Sequence, residues 1–201
     1  MHIPTVRLFK KNHKISEKEW NEIFDKIRYS PSSFDLQPWR FFVIESKENK
    51  EKLKQVVQKN ESQLETSSAI VLLCGNKNKQ NSAEYIYHNK FLNKEIVHEQ
   101  KEILIKKIKN YYNKQKNNKI ENEIFFESGL IALHFVLEVQ NLGYNAGFIG
   151  GFDYEKINKL FNISEDYMPI ILIAVGKSEN ENINEKRNKF KLKNEDFAFF
   201  L

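Results

Sequence analysis

The stretch SPSSFDLQPWRFFVI, residues 30–44, joins a helical pattern directly to an apolar strand. Two prolines, three serines, an Asp, a Gln and a Trp crowd the join. A plain turn is made with Gly or Asn, so these side chains are more than a turn requires. Upstream, residues 15–29 carry Trp20, Ile23, Phe24 and Ile27 at helical spacing. Ser16 with Glu19 three residues later forms a capping box at the start of that helix. Downstream, residues 40–44 read as a strand.

Working outward, residues 48–59 predict a helix with Leu53, Val56 and Val57 on its inner face. Residues 69–74, AIVLLC, are a short continuous apolar run, as in a strand buried on both faces. Residues 75–82 read as polar loop, and residues 83–118 as a charged helical excursion that Asn117 and Asn118 end. Residues 121–142 predict the strongest helix. It is apolar on nearly every face and therefore needs burial in the core or against a second subunit, with Ser128, Gly129 and Ala132 allowing close approach. Gly143 stops it. Residues 145–152, NAGFIGGF, predict a short strand, Asp153 caps a following helix, and residues 168–175, MPIILIAV, predict another buried strand. A polar tail then leads to apolar FAFFL at 197–201, expected to dock on a surface, for instance as a strand added to a sheet edge.

The chain of 201 residues, 40% hydrophobic and 29% charged, is expected to form one domain over 1–201. No apolar run approaches the ~20 residues of a membrane span, and residues 1–14 lack the apolar middle of a signal peptide. A cytoplasmic location and no membrane partner are expected. One cysteine, Cys74, excludes an intrachain disulfide and a Cys-cluster metal site. The five histidines show no ligand spacing, so no metal is expected. His134 reads as a satisfied core histidine and Cys74 as inert packing. A net charge of +5 raises nucleic acid as a partner, but the charges are scattered as on solvated helix faces and no binding motif accompanies them. Helices around a few strands, without strict βαβ alternation, give an α+β fold.

Residues 29–41, YSPSSFDLQPWRF, closely resemble the signature loop of the nitroreductase family of flavoproteins. Residues 5–9, TVRLF, are similar to the end of that family's N-terminal segment. Residues 149–152, IGGF, followed by a helix and MPIILIAVGK, are similar to its flavin-edge and closing strands. Four such stretches in order cover nearly the whole chain. The resemblance implies a mixed, mainly antiparallel sheet flanked by helices, with residues 178–201 extending to a partner subunit. It implies a homodimer with FMN at the subunit interface. It also implies ping-pong chemistry, in which NADH or NADPH reduces the flavin before a nitroaromatic, quinone or related small-molecule acceptor takes the electrons.

The resemblance assigns roles that the cofactor's chemistry explains. A phosphate needs charge-assisted donors, for which Arg7, Lys177 and Arg187 stand in place, with Thr5 as a hydroxyl donor. The polar ring edge needs close backbone donors, a role for Ile149, Gly150 and Gly151. Asn60 and Gln63 match positions that reach the pyrimidine side. Pro31, Ser32, Ser33 and Asp35 are expected to come from the partner and cover the flavin's other side. Gln37, Pro38 and Trp39 read as structural. Phe34 and Phe91 are candidate pocket walls, with residues 83–118 as a lid. The catalytic work falls to the flavin, with no side-chain nucleophile. Taken singly, each Lys or Arg reads equally as a surface charge, the glycines as a bulge, and Asn60 as a helix terminator. Ile3 stands where the family has an Arg and Asp35 where it has an Asn, which predicts weaker flavin contacts. A flavin storage or sensor protein on the same fold is the alternative function.

Overall fold

The computed structural model describes residues 3–180 and 190–201. Its centre is a four-stranded sheet of β1 (Trp39–Ile44), β2 (Ala69–Asn76), β3 (Asn145–Ile149) and β4 (Tyr167–Gly176), in the order β1-β2-β4-β3. Every pairing in it is antiparallel, so the expected sheet has only its antiparallel part among the described residues. β2 alternates Val71 and Leu73 toward one face with Ile70, Leu72 and Cys74 toward the other. Both faces are covered, which explains the continuous apolar run.

On one face lie α1 (Glu17–Ile27) and α6 (Asn117–Asn141). The α1 capping box is present as expected. Where α6 crosses β2, a Cβ on Gly75 would fall 2.0 Å from Ile124 Cγ2, so only glycine allows this approach. The opposite face is covered by the N-terminal segment with Val6 and Phe9, by α2 (Lys47–Leu53), α3 (Glu61–Thr66) and α7 (Ile157–Leu160). A third cluster, Leu36, Ala83, Tyr87, Ile108 and Tyr112, fastens an arm of two helices, α4 (Ala83–Leu92) and α5 (His98–Tyr112).

Several boundaries differ from the sequence reading. The helix read at 48–59 ends at Leu53, because Val57 bridges to Phe152 and Gln58 N–H donates to Gly151 O at 3.0 Å. α3 was hidden, with too few residues to show a period. The excursion is two helices, and Asn117 and Asn118 open α6 instead of ending α5. The tail holds a 3-10 turn, Asn194–Asp196, and no strand among its described residues; Phe197, Phe199, Phe200 and Leu201 are exposed. His134 Nδ1 lies 2.8 Å from Ser30 Oγ. The Cys74 thiol is buried, which pushes its pKa up to about 12 and leaves it a packing group.

Candidate functional site

The candidate residues assemble into two groups, set on opposite edges of the sheet. The first forms beside β3. Val6 is buried, its N–H donates to Ala146 O at 3.1 Å, and its carbonyl accepts from Gln63 Nε2 at 2.8 Å. The extended chain alternates its side chains, so Thr5 and Arg7 both stand exposed on the side away from Val6. Gln63 is 3% exposed and holds the N-terminal segment in place. A Cβ on Gly147 would lie 2.3 Å from Val6 O and 2.4 Å from Gln63 Nε2. A close approach within the protein is thus made at Gly147, a position that the sequence reading did not single out.

Gly150 and Gly151 end β3 in the open. Both are exposed, and the nearest neighbour to a Cβ on either would lie 3.7 Å away. Gly150 O accepts from Phe152 N–H and from Tyr154 Oη, and Gly151 O from Gln58 N–H. This pins the edge to the turn that carries Asn60, the residue before α3. Asn60 donates to Gln58 O at 2.9 Å. It starts a helix rather than ending one. Ile149 is buried and pairs with Leu172. The result is an open backbone edge tied to the turn of the Asn60 amide, with the exposed Thr5 hydroxyl and Arg7 guanidinium on the segment held against Ala146 of the same strand; a flat polar ring carrying an anionic tail needs groups of these kinds. Lys177 is exposed, with its Nζ 5.8 Å over the Tyr144 ring. Arg187 lies outside the described residues.

The second group is the quoted loop, ahead of β1. Phe34, Asp35 and Gln37 all have positive φ, 53°, 52° and 48°, a costly backbone for non-glycine residues. Tertiary contacts hold it. Ser33 N–H donates to Glu127 Oε1 at 2.6 Å, Ser32 Oγ accepts from Gln37 N–H at 3.0 Å, and Tyr87 Oη donates to Phe34 O at 3.0 Å. The Phe34 ring lies edge-on to Tyr111 and Tyr112. Pro31 is exposed and Asp35 half-buried. Phe91 packs against His98 and under Lys101 within the arm. Phe34 and Phe91 therefore sit in separate packing environments, and no described contact joins them.

Beneath the loop lies a buried network that the sequence reading missed. Lys79, placed in a loop from sequence, is 0% exposed and lies 2.7 Å from Glu127 Oε2 and 2.8 Å from Glu123 Oε1. Tyr112 Oη donates to Glu123 at 2.6 Å. Burial, the Glu123 hydrogen bond and its charge push the Tyr112 hydroxyl pKa far up, so it stays a donor. Burial works against ionised Glu123, but hydrogen bonds from Lys79, the Ser33 side chain and Tyr112 outweigh it and hold its carboxyl below the usual range. A Lys in a polar stretch and two Glu more than forty residues on give no local signal.

Among the described residues no His, Cys, Asp and Glu cluster could hold a metal ion, and no helix is long and apolar enough to cross a membrane.

The sequence profile of the nitroreductase family matches residues 4–177. A Bacillus subtilis protein named "Putative NAD(P)H nitroreductase YdgI" is 32% identical over 178 residues, covering 88% of this chain and 85% of its own. The CLA biosynthesis enone reductase of Lactiplantibacillus plantarum is 25% identical over 91% of this chain and 85% of its own. A crystal structure from Exiguobacterium sibiricum, titled "putative nitroreductase in complex with FMN", superposes with a TM-score of 0.93 at 28% identity, covering 99% of this chain and 93% of that one.

Proposed function

The chain belongs to the nitroreductase family, and from that premise we propose that it is an FMN-dependent oxidoreductase of homodimers, taking hydride from NADH or NADPH and reducing a nitroaromatic, quinone or related acceptor by a ping-pong mechanism. The observation that carries the reading is the open edge at Gly150–Gly151, tied through Gln58 to the turn that carries Asn60, on the same strand along which the segment with Thr5 and Arg7 runs. FMN, when bound, supplies the two-electron chemistry that no side chain here can.

This chain's residues bind and orient. Arg7 and Arg187 hold the phosphate, with Thr5 as a hydroxyl donor; Lys177 is a weaker candidate because its ammonium is engaged with Tyr144. Gly150 and Gly151 present backbone N–H groups to the ring edge. Asn60 retains its carbonyl oxygen for the pyrimidine side. Gln63 acts through the Val6 carbonyl, which keeps Thr5 and Arg7 in register.

The loop of Pro31, Ser32, Ser33 and Asp35 serves the partner's flavin. The separation of the two groups supports this. β3 and β1 are the two edge strands, and two strands lie between them, about 14 Å at ordinary strand spacing. One protomer's N-terminal group then meets the other's loop. The exposed apolar face of α6 provides the contact, and the described tail residues add to it. A cytoplasmic location suits a nicotinamide-dependent reductase.

The test is the visible spectrum of the gently purified protein, followed by anaerobic addition of NADH and then NADPH. A flavin spectrum that bleaches is expected, followed by reoxidation with a nitroaromatic, a quinone or an enone. Bound flavin that neither nucleotide bleaches would instead indicate storage or sensing. Protein that neither carries nor binds FMN would overturn the reading.

A further inference from the structure

Lys79 and Glu127, 0% and 1% exposed, are the most deeply buried ion pair among the described residues. Burying two charges is costly, and an apolar pair of similar volume is often as stable. The pair therefore calls for a role besides packing. Glu127 shows one by dividing its carboxylate. Oε2 faces Lys79 Nζ at 2.7 Å, while Oε1 accepts the Ser33 backbone N–H at 2.6 Å. Lys79 in turn binds Glu123, which takes the hydroxyl of Tyr112, whose ring abuts Phe34. The Tyr87 hydroxyl secures the next carbonyl along, that of Phe34. These contacts converge on the one segment of the loop where Phe34, Asp35 and Gln37 sit at positive φ. Such backbone persists only where its surroundings over-determine it.

We propose that Lys79 and Glu127 are positioning residues that hold Ser32–Asp35 in the shape the partner's flavin requires, so that each subunit presents a pre-formed half-site. The role rests on the flavin reading above. The pair touches no ligand and acts through the Ser33 amide. Charge is part of the device. A carboxylate accepts an N–H more strongly than a neutral amide does, and the Lys79 ammonium sits 2.7 Å from the other oxygen of Glu127. Pre-ordering removes an entropic cost from binding.

The test uses full-length protein, with FMN titrated into apo-protein and amide hydrogen exchange read at Ser33, Asp35 and Leu36. Glu127→Gln keeps volume and an acceptor but loses the charge. It is expected to raise the FMN Kd about tenfold, or ~1.4 kcal/mol, and to speed exchange at Ser33. Tyr87→Phe, which removes one hydroxyl, is expected to raise the Kd a few-fold even if Glu127→Gln fails to fold. A purely structural role predicts a lower melting temperature with wild-type Kd and exchange in the folded variants, and that result overturns the proposal. If the wild type itself binds no FMN, the flavin reading fails separately. Exchange then decides: faster loop exchange in the variants upholds the positioning role, and unchanged exchange overturns it.

Discussion

Lys90 Nζ lies 2.6 Å from Asp35 Oδ2, so α4 supplies a cation to the acidic residue of the signature loop. Asp35 also accepts from Gln37 Nε2 at 3.2 Å. The Asp35 carboxylate is thus matched by a charge from the arm. Lys90→Ala is expected to leave that charge uncompensated and weaken FMN binding by about 1 kcal/mol, the upper end for a partly exposed ion pair. Adding Asp35→Asn should restore it. Flavin fluorescence titration of the three proteins checks this; a wild-type Kd for Lys90→Ala would remove the pairing from the argument.

This relationship shows where sequence reading stops. Asp35 stood out by its departure from the family pattern, but its partner lies 55 residues on, in an arm with weak periodicity. The strands and α1 were legible because apolar runs and a capping box act locally. The helix read at 48–59 was overridden by tertiary pairing, since Val57 leaves the helix to bridge Phe152. Gly150 and Gly151 were singled out by their motif. Gly147 could not be, since what demands a glycine there is the Val6 carbonyl from the far end of the chain. Lys79 was hidden for the same reason: burial is decided by Glu123 and Glu127.

Gly147→Ala should be the most damaging small substitution at the site. Its Cβ would fall well inside contact distance of both Val6 O and Gln63 Nε2. The N-terminal segment must move, and overpacking of this kind costs about 1–3 kcal/mol. Each kcal/mol lowers Tm by roughly 2–4 °C in a chain of this length. Because Thr5 and Arg7 ride on that segment, FMN affinity should fall with stability. Calorimetry and flavin titration together check this, and unaltered values in both would show that the segment yields freely.

Acid should loosen α1 through Glu19. Its carboxylate accepts Ser16 Oγ–H at 2.6 Å, Ser16 N–H at 2.8 Å and Tyr144 Oη–H at 2.8 Å. The Ser16 hydroxyl, the Ser16 amide and Tyr144, in that order, lower its pKa from 4.5 to about 2, against a small opposing effect of burial. The folded pKa lies below the unfolded one, so the stabilisation is complete above about pH 4.5 and is lost as pH falls toward about 2. Glu19→Gln keeps the capping-box geometry but turns a charged acceptor into a neutral one; it is expected to cost about 1 kcal/mol at neutral pH and to flatten the stability profile in that acid window. Denaturant melts at pH 7, 4.5 and 3 measure it. A variant as acid-sensitive as the wild type would move the effect to other carboxylates.

On α6, Phe125, Phe126, Leu130 and Leu133 form an exposed apolar face, with Phe126 68% exposed. Ser128 and Ala132 turn inward, and Gly129 has nothing within 4 Å of an added Cβ. A large apolar strip left open on a long helix marks an interaction surface. If two copies meet there, charge on the strip should separate them. Phe126→Asp with Leu133→Asp is expected to shift the protein toward the 23.9 kDa monomer in sedimentation velocity. FMN should be lost in the same step, because a lone chain keeps the Gly150 edge and the Ser33 loop on opposite sides of its sheet. Removing residues 194–201 should weaken the dimer less, since that tail adds contact without forming the α6 face. A monomeric variant that held FMN as tightly as the wild type would show that one chain suffices, and the shared-site reading would fall with it.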